Sequence, residues 1–263
     1  MCKMFAAAGQ FKSLGVYGSM DFHEFMTRLF EASAHDGQDQ DAAGFFSWGG
    51  DRSTHARSSA ESPADFIEDC RAWHSQSQSP HLLYIAHLRG AMSSAEEQIN
   101  NHPFKGDNVT LMHEGWISQH QEMATKRGLS LESNTDSELF MRIADHRRPS
   151  LGSRDEWDAV NCMRAMLGLT SEPTALAFID HGSKKPKIYF GKNGNRGNHK
   201  FHFYRVPQFK GIVLTSTHEM MTIASEMCST TIEFEEIQQP EPFHVYCMDW
   251  ERDTVLTYPP ELK

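Results

Sequence analysis

The distribution of short apolar runs restricts the fold more than any other feature of the sequence. After residue 174 the chain is mostly strand-length runs, at 175–179, 187–190, 201–206, 211–214, 243–250 and 254–258, each with alternating or continuous apolar residues. Earlier runs of the same kind lie at 82–87 and 109–113. Residues 36–62 are rich in Gly, Ser and Asp and read as loops around one short strand at Phe45, Phe46 and Trp48. Helical patterns separate these groups. Phe22, Phe25, Met26 and Leu29 predict a helix over 21–34, and Pro63 suits the first turn of another reaching about residue 73. Two more helices are expected over 117–127 and 135–147, the second opened by Thr135 and Glu138 in capping-box spacing. A further one covers 153–168, and Met220, Met221, Ile223, Ala224 and Met227 mark the last, with its methionines as core filling. Early, middle and late strand groups with helices between them predict an α+β layered fold, not a doubly wound parallel sheet. The segment Gly191-Lys192-Asn193-Gly194-Asn195-Arg196-Gly197-Asn198 joins two strands, so it reads as a hairpin turn and not as a phosphate cradle.

Composition excludes several classes of function. With 25 Lys+Arg against 35 Asp+Glu the net charge is −10, which argues against nucleic acid as a partner. No apolar run is long enough to span a membrane, and the first residues are too short a stretch for a signal peptide. The five cysteines, at 2, 70, 162, 228 and 247, contain no CxxC pair, so neither a disulfide framework nor a structural zinc site is expected. A reduced, cytoplasmic setting fits, with Cys70, Cys162, Cys228 and Cys247 as small buried hydrophobes. No pair among the 15 histidines has the HExxH spacing, and no metal or other cofactor is expected. The 263 residues are read as one domain over 1–263.

Chemistry concentrates in a few short segments. Cys2, once Met1 is removed, carries a thiol and a free α-amine that titrates near pH ~8, a nucleophile with its own base. Arg89, in Ala86-His87-Leu88-Arg89-Gly90-Ala91, follows a buried strand and can clamp a carboxylate in bidentate fashion. Then come Asn100-Asn101-His102-Pro103-Phe104 and Met112-His113-Glu114-Gly115-Trp116-Ile117, where the backbone N–H of Gly115 can hold an oxyanion. Finally Ser133-Asn134-Thr135-Asp136-Ser137-Glu138 opens a helix, and Asp136 can meet an ammonium. A nucleophile beside pockets for one carboxylate and one ammonium describes a site for the amino-acid end of a substrate with a side-chain carbonyl.

In this order and spacing the segments resemble the class II glutamine amidotransferases, N-terminal-nucleophile enzymes with a cysteine at the mature N-terminus. The likeness is to the stand-alone, single-domain type and runs from Cys2 to Glu138. It implies a four-layer αββα sandwich that binds glutamine beside Cys2. It further implies that Cys2 attacks the side-chain amide, that Arg89 holds the α-carboxylate and Asp136 the α-amino group, and that Gly115 donates to the oxyanion. His87 precedes the arginine as in the family, in a structural role beside the substrate. The implied partners are a small-molecule substrate, glutamine or another γ-glutamyl amide, and a separate ammonia-accepting synthase subunit. Three positions depart from the family pattern. Glu114 stands where the family has an asparagine that donates to the oxyanion, and an ionised glutamate can only accept. Ser93 offers a hydroxyl one residue off the family's threonine, and the segment from Phe46 to Asp51 only loosely echoes the family's Asp-Gly-Trp-Gly. The alternative expectation is a catalytically impaired homologue that binds an amino-acid-like ligand or a partner protein.

Overall fold

Alternation of apolar residues along each strand gives this chain two-faced sheets, and both faces of both sheets are covered. The computed structural model describes residues 2–10, 22–34, 42–49, 52–58, 81–90, 98–150, 156–183, 185–194, 200–228 and 232–260. The expected helix from Pro63 and the positions Ser93, Gly50, Asp51 and Cys70 lie outside them.

The chain opens with strand β1 (Lys3–Gln10), helix α1 (Phe22–Ala34), the pair β2 (Ala42–Gly49) and β3 (Arg52–Arg57), and β4 (His81–Arg89). Short β5 (Phe104–Lys105) and β6 (Val109–Glu114) lead to helices α2 (His120–Lys126), α3 (Asp136–Ser150) and α4 (Glu156–Leu167). Then follow β7 (Ala175–Asp180), β8 (Ile188–Lys192), β9 (His202–Val206), β10 (Gly211–Thr215) and helix α5 (His218–Met227). The last elements are β11 (Glu235–Gln238), β12 (Val245–Asp249) and β13 (Thr254–Tyr258). The 7-stranded sheet has the order β11-β9-β10-β1-β4-β2-β3 and the 6-stranded sheet the order β13-β12-β8-β7-β6-β5. The pairings are antiparallel, as the layered reading requires.

The layers follow from which residues are buried together. Met4, Ala6 and Ala8 of β1 meet Met112 of β6 and Ala177 and Ile179 of β7 in a core between the sheets. Phe5 and Ala7, on the opposite pleat, pack with Phe30 of α1 and Met220 and Met221 of α5. Phe5 meets Phe30 edge to face at 4.9 Å, and Tyr84 stacks on Phe45 at 5.4 Å, contacts each worth about 0.5–1.5 kcal/mol beyond area burial. Leu111 and Phe178, on the outer face of the second sheet, pack with Phe140 of α3 and Met163 of α4. The result is the αββα sandwich.

Two sequence expectations are corrected by the pairing. The described part of residues 36–62 contains two strands and not one, because Arg52–Arg57, largely polar, completes a hairpin with β2. The segment after Gly191 is not a hairpin turn: β8 pairs with β7 and β12, whereas β9 pairs with β10 and β11, so this connection passes from one sheet to the other. Its residues 195–199 lie outside the described residues. Of the cysteines expected in the core, Cys162 and Cys247 are buried and Cys228 is partly so.

Candidate active site

Strand pleat decides which of the singled-out side chains share a space. In β1 the row Met4, Ala6, Ala8 faces the inter-sheet core, and Cys2, two residues before Met4, continues that row. In β4 the same face carries Leu83 and Ile85, hence His87 and Arg89. In β6 it carries Met112, hence Glu114. Lys3 pairs with Leu88, so Cys2 and Arg89 lie side by side where β1 begins and β4 ends. The Cys2 thiol is 3.6 Å from the carbonyl oxygen of Gly90, within reach to donate to it.

Residues 101 and 102 reach this end of β4. Arg89, 4% exposed, donates from Nη1 to Asn101 Oδ1 at 3.2 Å. The His102 ring lies against the His87 ring, centroids 4.1 Å apart, and 6.5 Å from the ring of His113. Burial first, then the charges of His87, His113, Arg89 and Arg57, hold the His102 imidazole well below its ordinary pKa, so it is neutral at pH 7. Its approach explains Gly44, which pairs with His87 on the inner face of β2. A Cβ on residue 44 would stand 2.0 Å from the His102 carbonyl oxygen.

Beyond β6 the chain turns sharply at Gly115, whose φ is +155°. A Cβ there would lie 2.6 Å from His113 Nε2 and 2.9 Å from Thr174 Oγ1, so only glycine fits. Asp136, the first residue of α3, braces this turn: its Oδ2 accepts from the Ile117 backbone N–H at 2.6 Å. Its other oxygen is 3.7 Å from His113 Nδ1, and that nitrogen is hydrogen-bonded to Ser137 Oγ at 2.9 Å. The capping box expected at Thr135 is replaced by a longer reach. The Glu138 carboxylate accepts from the N–H groups of Glu132 and Ser133 at 2.9 and 2.7 Å and pairs with Arg142. Burial pushes the Glu138 pKa up, but these bonds outweigh it and leave it below the usual carboxylate value.

Contacts therefore join all of the sequence segments. Cys2 meets Gly90, Arg89 meets Asn101, and Asn100 Oδ1 accepts from the Asn134 N–H at 3.0 Å. Ile117 and His113 meet Asp136 and Ser137. The pleat puts His87, Arg89 and Glu114 on the strand faces that line the inter-sheet core, Cys2 lies at the start of β1 against Gly90, and Asp136 reaches the turn at Gly115 from the start of α3. Glu114 is 2% exposed and pairs with Ala175 of β7. Sequence reasoning gave no role to Gly44, Asn101 or Thr174. The buried Thr174 hydroxyl, without a hydrogen-bond partner, abuts the Gly115 turn. Only Asn101 lay within a segment already singled out. Among the described residues, the one grouping of donors suited to a metal lies elsewhere, at His202, His218 and Glu236.

No family model matches the chain. A glutamine–fructose-6-phosphate aminotransferase [isomerizing] of Aliivibrio fischeri is 35% identical over 72 residues, which is 26% of this chain and 12% of that protein. The protein of the same name from Campylobacter jejuni is 25% identical over 120 residues, 43% of this chain and 20% of that one. Among solved structures, the glutamine phosphoribosylpyrophosphate amidotransferase of B. subtilis superposes on 100% of this chain with a TM-score of 0.69 at 13% identity, and this chain spans 50% of its length. A glutamine aminotransferase class-II domain protein from Silicibacter pomeroyi superposes on 98% of this chain and is itself covered to 100%, with a TM-score of 0.57 at 15% identity. The fold is that of the class II glutamine amidotransferase domains, and the resemblance read from the motifs stands. Among the described residues no helix is long and apolar enough to cross a membrane.

Proposed function

We propose that this chain, as one domain over residues 1–263, hydrolyses the side-chain amide of glutamine or of a related γ-glutamyl amide, with Cys2 as the nucleophile. Removal of Met1 frees the Cys2 α-amine, which takes the thiol proton as sulfur attacks the amide carbon. The tetrahedral intermediate places its oxyanion at the Gly115 N–H. As it collapses, the C–N bond breaks, the α-amine returns the proton to the leaving nitrogen, and ammonia or an amine departs. Water then adds to the thioester and releases glutamate and the thiol. Arg89 receives the substrate α-carboxylate, oriented by its bond to Asn101. Asp136 receives the α-amino group while holding the turn that carries Gly115. His87 supports the site through its ring contact with His102. Ammonia passes to a separate synthase subunit or to solvent.

The observation that carries this reading is the placement of Cys2 beside Arg89 and Gly90, where β1 begins and β4 ends. Glutamate and ammonia release from glutamine by the purified chain and by Cys2→Ala tests it, with intact mass reporting whether Met1 is removed. Loss of release in Cys2→Ala is expected; equal rates would overturn the proposal. One observation favours a second reading. The buried Glu114 carboxylate, an acceptor where a donor is needed, suits a chain that binds glutamine without turning it over. Calorimetric binding of glutamine without ammonia release would establish that reading instead.

A further inference from the structure

We propose that His202, His218 and Glu236 form a binding site for a divalent transition-metal ion of the Zn²⁺ type, on the helix-covered face of the seven-stranded sheet. The residues come from β9, the first position of α5 and the edge strand β11. One ligand atom from each lies within 4.8 Å of the others. His202 Nδ1 and Glu236 Oε1 are 2.9 Å apart. That contact is a hydrogen bond in the metal-free chain, and two tetrahedral ligands about 2.1 Å from one ion are about 3.4 Å apart, so a slight widening of this pair makes one edge of a coordination sphere. The exposed His218 and Glu236 need only small side-chain movements to complete it.

The surroundings suit a ligand set. The Tyr204 hydroxyl and His218 Nδ1 are hydrogen-bonded at 2.8 Å, which fixes the imidazole as outer partners of metal-bound histidines do. Phe234 meets Tyr204 edge to face at 5.5 Å and forms an apolar wall, with its ring 6.3 Å from that of His218. His202 is buried while the other two are exposed, so a bound ion keeps an open side for water. Two imidazoles with one carboxylate select Zn²⁺, Co²⁺ or Ni²⁺ over Mg²⁺ and Ca²⁺, which prefer oxygen ligands alone. The site is separate from that of Cys2. His202 shares the outward pleat of Tyr204 and Val206, packed against α1 and α5, whereas Cys2 lies at the start of β1 against Gly90. A bound ion would tie the edge strand β11 and the start of α5 to β9.

The test uses the Cys2→Ala chain, so that the candidate nucleophile cannot bind the probe. Titration calorimetry with Zn²⁺ is expected to show one ion per chain. His218→Ala and Glu236→Gln should each weaken Zn²⁺ binding by about tenfold or more, measured on chains whose circular dichroism spectrum matches that of the Cys2→Ala chain. Co²⁺ should give visible ligand-field absorption that His218→Ala removes. No Zn²⁺ binding at ~100 μM, or binding by both variants as tight as by the Cys2→Ala chain alone, would overturn the proposal. Should one variant fail to fold, the other decides alone.

Discussion

Glu114→Asn changes the residue before the candidate oxyanion glycine from an acceptor into a donor, and its effect can be sized. Glu114 ends β6, is fixed there by its pairing with Ala175, and is 2% exposed on the pleat that faces the inter-sheet space. A preorganised donor to an oxyanion is worth about 2.7–4 kcal/mol, or 10²–10³ in rate. Removing a carboxylate from the neighbourhood of a developing negative charge adds to this, since like charges about 4 Å apart repel by about 4 kcal/mol at an effective dielectric constant near 20. That figure is an upper bound, because water admitted with the substrate screens it. The expected outcome is a rise of at least about 10²-fold in kcat for ammonia release from glutamine. KM should change little, because the interaction forms only in the transition state. The assay is continuous, enzyme-coupled detection of ammonia, with the Cys2→Ala/Glu114→Asn double variant as the blank. The reasoning is refuted by an unchanged or lower kcat in a Glu114→Asn chain with an unaltered thermal midpoint, which would mean that the side chain at 114 does not reach the oxyanion.

Other consequences can be checked by stability measurements. Burial holds His102 well below its ordinary pKa near 6.5, so in acid the unfolded chain takes a proton there that the folded chain refuses. Stability should therefore fall as pH drops below about 6.5, by up to about 1.4 kcal/mol per pH unit for this one group. Urea midpoints at pH 7.5 and 5.5 measure it, and a slope unchanged in His102→Gln would contradict the assignment. Gly44→Ala must displace the His102 backbone, which would otherwise stand 2.0 Å from the new Cβ. A loss of about 1–3 kcal/mol or more is expected, with a raised KM for glutamine as the Asn101 support of Arg89 shifts. Full stability would show that this segment gives way easily. Asp249→Asn removes the carboxylate that pairs with Lys187 at 3.0 Å in an almost fully enclosed site. Thermal or urea unfolding should report a loss of about 3–5 kcal/mol, and a change below about 1 kcal/mol would refute the pairing's importance.

Which parts of this molecule are legible in the sequence follows from the range over which each is determined. Strands such as 175–179 and 211–214 announce themselves because both faces are buried and their apolar runs are unbroken. β1 does not, since Ala6, Ala7 and Ala8 have little preference for extended backbone. They are held in a strand by ladders to β4 and β10, which sequence pattern does not encode. β3 and β11 escape notice for a different reason: Arg52–Arg57 and Glu235–Gln238 are largely polar edge strands whose partners supply the register. The same distinction divides the site. Cys2, Arg89, Gly115 and Asp136 sit in short local motifs and can be singled out from them. Gly44 can be understood only once His102 is seen crossing over it, and the donors at 202, 218 and 236 converge only through sheet pairing and the start of α5. Asp136 shows why the difference matters for mechanism. As a motif residue it is an ammonium acceptor, yet in the fold its carboxylate also takes the Ile117 N–H and so sets the turn at Gly115. Under the proposed function, substrate recognition and oxyanion geometry are therefore joined through one side chain, and a change at 136 should disturb kcat as well as KM.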